Sequence, residues 1–328
     1  MGMKAVAVIG AGLAGLTCAQ ALQAQGLQVT VLEKSRGAGG RLSTRRTDWA
    51  QYDHGAQYFT ARDPRFVRFI EQRLADSSVA RWQPRLAQPV DDVWYVGTPG
   101  MSALGRAQAQ GLDLRTEHRV TSLMRRASHW DLALEDGRIL GGFDAVVVAV
   151  PNEQAVPLLE QHAQTWAADL AQTPMQPCWT VMFSTDQALS DFDAGLPKDS
   201  PLGWWARNSS KPARPVMQGR HDWVLQAQAQ WSSAHLDLDK TEVAQALIAA
   251  FEQVLGAGAI EPLAPAMAHR WLYARRTPEL QPLTEPWWHS ELGLGVCGDG
   301  LSHSRVEQAY LSGQQLADTI MKHVSLSS

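Results

Sequence analysis

The run Lys4-Ala5-Val6-Ala7-Val8-Ile9-Gly10-Ala11-Gly12-Leu13-Ala14-Gly15, then a helical stretch, then Val29-Thr30-Val31-Leu32-Glu33, decides the fold of this chain. It reads as a buried strand, a G-x-G-x-x-G turn, a helix and a second strand that ends in an acid. Gly10 allows the tight turn out of the strand. Gly12, without a Cβ, lets the backbone approach a pyrophosphate, and Gly15 lets the helix pack closely on the strand. The N–H groups at the helix start, at Leu13 and Ala14, are aimed at the phosphates, and the helix dipole favours their charge. Glu33 is placed to accept hydrogen bonds from ribose hydroxyls. The alternative is a Gly-rich strand-to-helix turn with no ligand, which leaves the terminal acid without a purpose.

The next run, Lys34-Ser35-Arg36-Gly37-Ala38-Gly39-Gly40-Arg41, selects among dinucleotides. A domain that binds NAD alone has no need of a second Gly-rich turn here. The run resembles the R-x-G-G-R-type turn of FAD-binding, amine-oxidase-type flavoproteins. In those proteins the glycines pass beside the diphosphate and ribityl chain, and the arginine helps to neutralise phosphate. Arg36 and Arg41 suit that role by charge as well. A surface turn with two solvated arginines is the bland alternative.

The 328 residues suffice for one large or two ordinary domains. A charged fraction of 19% beside a hydrophobic fraction of 45% describes a globular chain. The net charge of −4, with no basic tract, argues against nucleic acid as a partner. Three scattered cysteines, Cys18, Cys178 and Cys297, favour a reducing cytoplasm over a disulfide framework. The histidines show no H-x-x-x-H or H-E-x-x-H spacing, so no metal is expected. No apolar run reaches the roughly 18 residues of a membrane span. The apolar start is broken by glycines and does not read as a signal peptide.

A helix is expected from Asp63-Pro64, a short strand over Val93–Val96, and a helix from Pro99-Gly100-Met101 to about Gln110. Val120 to Asp144 reads as a meander turning at Asp136-Gly137. Asp144–Val150 reads as a buried parallel strand. Further on come strands over Cys178–Ser184, Asp222–Gln230 and Ala266–Ala274, and a helix over Lys240–Leu255. The last segment repeats the strand–turn–helix order of the first, with strand Leu294–Cys297, turn Gly298-Asp299-Gly300, and a helix from Ser304 to His323. The fold class is therefore α/β: a Rossmann-type FAD-binding domain with an inserted α+β substrate domain. The expected division is 1–75, 97–155 and 290–328 for the discontinuous FAD-binding domain, with 76–96 and 156–289 for the substrate domain.

Across nearly its whole length the chain resembles the renalases, especially bacterial ones, which share the p-hydroxybenzoate hydroxylase and amine oxidase type of fold. The resemblance rests on the two Gly-rich turns, Asp53-His54-Gly55-Ala56-Gln57-Tyr58-Phe59-Thr60, Gly97-Thr98-Pro99-Gly100-Met101, Ala206-Arg207-Asn208-Ser209-Ser210-Lys211-Pro212, Ala268-His269-Arg270-Trp271-Leu272-Tyr273-Ala274-Arg275, and Cys297-Gly298-Asp299 leading to Arg305-Val306-Glu307. It implies non-covalent FAD, held also by Lys34, Gly40, Gln57, Tyr58, Val120, Asp299 and Val306. It implies oxidation of 2- and 6-dihydro forms of NAD(P) to NAD(P)+ by hydride transfer to flavin N5, with oxygen then reduced to peroxide. Two positions depart from the family pattern. Gln226 stands where close relatives carry His, and Gln308 where they tend to carry Gly.

Loss of hydride from a dihydropyridine yields an aromatic ring, so positioning in a dry site matters more than a general base. Tyr58, Thr60, Gln226, Trp271 and Arg305 are the candidates for the substrate side. Trp204, Trp205, Trp231, Tyr273, Trp287 and Trp288 are further aromatic candidates, although tryptophan is usually core. Arg207, Lys211, Arg270 and Arg275 are candidates for a substrate diphosphate or for a solvated surface. His54 is either structural or catalytic. Competing readings are a flavin amine oxidase and a flavin-binding sensor without turnover. Arg305 opposes the amine oxidase, since those enzymes typically carry an aromatic residue at that position.

Overall fold

The computed structural model describes residues 3–215, 217–277, 279–283 and 287–326. Its first sheet has six strands in the order Trp287–His289, Leu294–Val296, Ala145–Val148, Ala5–Ile9, Gln28–Leu32, Asp113–Arg115. All neighbours are parallel except the pair Trp287–His289 and Leu294–Val296. Chain segments nearly 290 residues apart thus share one sheet. Ala145–Val148 is buried along its whole length, as its unbroken apolar sequence requires of a strand covered on both faces. Helix Val306–Leu326 packs along helix Leu13–Ala24, with Leu316, Ala317 and Ile320 in the same core as Leu16 and Ala19.

The second large sheet is antiparallel, in the order Ala194–Gly195, Leu202–Arg207, His221–Ala227, Met175–Thr185, Met267–Arg276. Helix Lys240–Leu255 covers one face, burying Val243, Leu247 and Phe251 against Trp179, Trp205 and Trp223. Asp239 and Glu242 close a capping box at its start, and Gly256 ends it in the left-handed conformation. The meander Val120–Arg125, Trp130–Leu134, Ile139–Phe143 forms a separate three-stranded sheet. These are the Rossmann-type domain and the substrate domain that the sequence implies.

Local differences have local causes. The strand expected to Gln230 stops at Ala227, because helix Ala229–Ala234 begins there. Helices Asn152–Leu159 and Gln164–Ala171 and strand Leu202–Arg207 have no counterpart in the sequence reading. Pro157 inside the first of these helices masks its helical signature. No helix of the described residues is long and apolar enough to cross a membrane.

Candidate active site

A cavity of about 1800 Å3 opens where the parallel strands end, walled by residues of both large sheets. It lies outside the carboxyl ends of the strands, where open α/β sheets bind ligands. Its volume exceeds the roughly 300–1,000 Å3 of ordinary ligand pockets, so it has room for two ligands.

On the Rossmann side the wall includes Gly10, Gly12, Leu13, Ala14, Glu33, Lys34, Arg36, Gly40, Arg41, Val120, Asp299 and Val306. Gly10 has φ +105°, and a Cβ on it would stand 2.5 Å from Ala149 O. Gly15 does not face the cavity; its missing Cβ makes room for Gly10 O, 2.1 Å from where that Cβ would sit. Gly12 has ordinary extended angles, and a Cβ there would meet no protein atom within 4 Å. That empty space adjoins a helix start with no side-chain cap and no acid in its first turn. Uncapped N–H groups and room beside Gly12 suit a diphosphate. The Glu33 carboxylate accepts from Ala11 N and Ser35 N, both at 2.8 Å, which leaves lone pairs for ribose hydroxyls. These features fit FAD.

Arg41 and Asp299 both line the cavity. They are paired with each other, Arg41 Nη1 donating to Asp299 Oδ2 at 3.0 Å and to Ala274 O at 2.9 Å. Lys34 Nζ donates to Gln154 Oε1 at 2.9 Å, and burial lowers its pKa. Arg36 is exposed at the cavity.

The substrate-sheet wall carries Trp204, Gln226, His269, Trp271 and Tyr273, with His54 and Arg305 beside them. Trp271 is held by its Nε1 donating to His54 O at 2.7 Å, and by the rings of His54 and His269 at 5.2 and 4.5 Å. Gln226 Nε2 donates to Gly55 O at 2.7 Å. Residues 54 and 55 therefore fix both substrate-wall side chains through their carbonyls.

Other candidates lie elsewhere. Gln57, Tyr58 and Thr60 do not line the cavity. Gln57 is buried, donating to Gly55 O and accepting from Lys211. Tyr58 stacks on Trp94 at 3.8 Å. Lys211 and Arg207 do not line this cavity: Lys211 pairs with Asp53, and Arg207 with Asp193. Trp205 packs on Trp223 and Phe251, Trp231 stacks on His235, Trp287 stacks on Trp166 and Trp288 faces His323. Gln308 meets Ser302 rather than the cavity.

Sequence reading missed two features. Arg45, Arg46 and Arg106 line the cavity, although the Thr44-Arg45-Arg46 run after the second turn signalled a basic wall. Asp53 is fully buried with Lys211 and Arg214: burial pushes its carboxyl up, but the two cations and Met101 N–H hold it at about 2. No local pattern reveals partners some 160 residues away.

Both histidines of the wall are kept neutral. Burial, then the neighbouring His269 and Arg45, lowers His54 to about 3, while burial and Arg45 lower His269 to about 4. The unfolded chain takes up these protons near pH 6.5. Between that value and the folded ones the unfolded state holds more protons, so their stabilisation is complete above pH 6.5 and is lost as pH falls toward 4 and then 3. Thermal midpoints will decline below pH 6.5, and His54→Asn will flatten part of that decline. An unchanged slope in the variant would show that His54 titrates in the fold as it does in water.

Residues 83–321 match the family described as flavin containing amine oxidoreductase, and residues 8–73 match an NAD(P)-binding Rossmann-like domain. Among curated relatives, a phytoene desaturase of Fusarium fujikuroi is 37% identical over 93 residues, 28% of this chain and 16% of that protein. An L-amino-acid oxidase of Gloydius halys is 37% identical over 92 residues, 28% of this chain and 18% of that protein. The chain thus matches less than a fifth of either relative's length. Among solved structures, a provisionally named protoporphyrinogen oxidase from Exiguobacterium sp. 255-15 superposes with a TM-score of 0.78 at 13% identity, covering 98% of this chain and 99% of that one. The cyclohexylamine oxidase of Brevibacterium oxydans IH-35A gives 0.76 at 14% identity, covering 99% and 100%. At such identities the likeness shows the fold alone.

Proposed function

The chain belongs to the flavin containing amine oxidoreductases, with FAD as its cofactor, and from that premise we propose that it oxidises 2- and 6-dihydro forms of nicotinamide dinucleotides, as renalases do. The charge of the cavity wall carries this reading. Among the described residues that line it, the cations are Lys34, Arg36, Arg41, Arg45, Arg46, Arg106, Arg119, Lys198, Arg270, Arg275 and Arg305. The carboxylates are only Glu33, Glu153 and Asp299: Glu33 accepts from two backbone amides, Asp299 pairs with Arg41, and Glu153 accepts from Met175 N through one oxygen, its other being buried without a partner. Arg41 and Arg119 are already paired, with Asp299 and Glu135, but the other nine still exceed what one diphosphate uses. The surplus suits a second anionic ligand and repels a protonated amine.

When bound, FAD would supply an acceptor for hydride whose electrons oxygen would take up as peroxide. The chain's own contribution is binding and positioning. Basic side chains hold the dinucleotide phosphates. Trp271 offers an aromatic wall for a planar ring, fixed at its indole N–H by His54 O. The neutral His54 and His269 add no charge beside that wall. No proton leaves carbon in this oxidation, so the wall needs no general base.

The test is anaerobic mixing of the holoenzyme with borohydride-reduced NAD, which contains all three dihydro isomers. The 2- or 6-dihydro form should bleach the flavin, with 4-dihydro NADH slower by about 100-fold, because its reacting carbon is displaced by more than about 1 Å and such misplacement costs that much. Trp271→Ala should slow bleaching while FAD stays bound. Benzylamine and putrescine should give no peroxide above background. Comparable rates with 4-dihydro NADH would point to a general NADH oxidase, and robust amine turnover would return the chain to amine oxidation.

A further inference from the structure

Resting on the dinucleotide reading, we propose that Gln226 forms a subsite for a primary carboxamide: its Oε1 accepts an N–H of the nicotinamide amide and so separates that ring from its carboxylic acid analogue. Gln226 sits in strand His221–Ala227, partly buried, with its side chain in the cavity wall. Its Nε2 donates to Gly55 O at 2.7 Å, and the same carbonyl accepts from Gln57 Nε2 at 3.2 Å. A carbonyl oxygen bonds a donor and repels another oxygen, so the orientation of this amide is fixed. Oε1 must turn away from Gly55, and no donor among the described residues bonds it.

The surroundings leave that acceptor for a ligand. Gln226 lies between Trp204 and Thr180 on the paired strands, and Thr180 in turn pairs with His269. Trp204 and His269 line the same cavity as Trp271. Gln226 therefore sits among the residues of the aromatic wall where a planar ring would be held, with Oε1 as its one unbonded polar atom. A bare carbonyl oxygen at such a wall is satisfied by an N–H and opposed by a carboxylate, which has no hydrogen to give. A primary amide supplies the donor. An acid of the same shape sets oxygen against oxygen, and rejection comes from the unpaired acceptor as much as from the lost bond.

The experiment is equilibrium titration of oxidised holoenzyme, followed by the flavin absorbance, with NAD+ and with nicotinic acid adenine dinucleotide. These differ only in amide against carboxylate, and neither requires turnover. NAD+ should bind more tightly by on the order of tenfold, the scale of one net hydrogen bond. Gln226→Met keeps the volume and removes the acceptor. It should bring the ratio near one by weakening NAD+ and, with the opposing oxygen gone, tightening the acid. Flavin content reports whether the variant folds, and Gln226→Leu replaces it if not. Equal binding of both ligands to wild type, or an unchanged ratio in the variant, overturns the subsite but not the dinucleotide reading. If neither ligand binds, both fall together.

Discussion

Gly12→Val will yield a folded, colourless protein. At Gly12 the backbone is extended, so valine incurs no strain, and its Cβ meets no protein atom within 4 Å. The branched side chain instead occupies the space beside the uncapped helix start, where the diphosphate of FAD is expected. Thermal unfolding should stay cooperative while flavin absorbance is lost. Gly15→Ala should behave in the opposite way. Its single methyl would lie 2.1 Å from Gly10 O and 3.0 Å from Ala149 Cβ, and overpacking of this kind costs about 1–3 kcal/mol or more. That variant should lose stability, and its flavin only as a consequence. Normal FAD content in Gly12→Val would remove the diphosphate from this turn.

Asp53→Asn will destabilise the fold by about 3–5 kcal/mol, the usual result of leaving buried charges without their counter-ion. Asp53, Lys211 and Arg214 have side chains at most 1% exposed. Lys211, lowered to about 8 chiefly by burial and supported by Asp53, would lose that support. Arg214 would keep Gly97 O and Pro212 O but no carboxylate. Adding Arg214→Met should recover part of the loss, since the pair is coupled. The damage should reach the substrate wall, because the next two carbonyls, of His54 and Gly55, hold Trp271 and Gln226. The denaturation midpoint of single and double variants decides the matter. A single variant within about 0.5 kcal/mol of wild type, the range of an ordinary surface change, would show that the cluster is solvated.

The opening sixty residues made the nucleotide half legible in advance. Strand, turn and helix are contiguous there, so the motif is readable locally, although Gly10 and Gly15 also make room for Ala149, remote along the chain. The apolar run at Ala145–Val148 and the Gly298-Asp299-Gly300 turn joined that half because parallel strands buried on both faces carry an unmistakable composition. Helix Lys240–Leu255 was read at its observed ends because its capping box and terminal glycine are local signals.

The substrate half was legible only as a set of residue types. Which tryptophans would face a ligand depended on strand register. Trp204 and Trp205 are neighbours in sequence, yet alternation along the strand sends one to the cavity and the other into the helix-covered core. Lys211 looked like a phosphate ligand and Arg41 like a lone cation, because sequence shows a charge but not the carboxylate that neutralises it. Asp53 and Asp299 were brought to them by tertiary packing. Sequence by itself determined the nucleotide-binding architecture, since that rests on short-range backbone geometry, while FAD in particular followed from the resemblance of the second Gly-rich turn to that of flavoproteins. Only the tertiary structure decided which cations stay free in the cavity and which way the amide of Gln226 points, since both follow from contacts between segments remote along the chain.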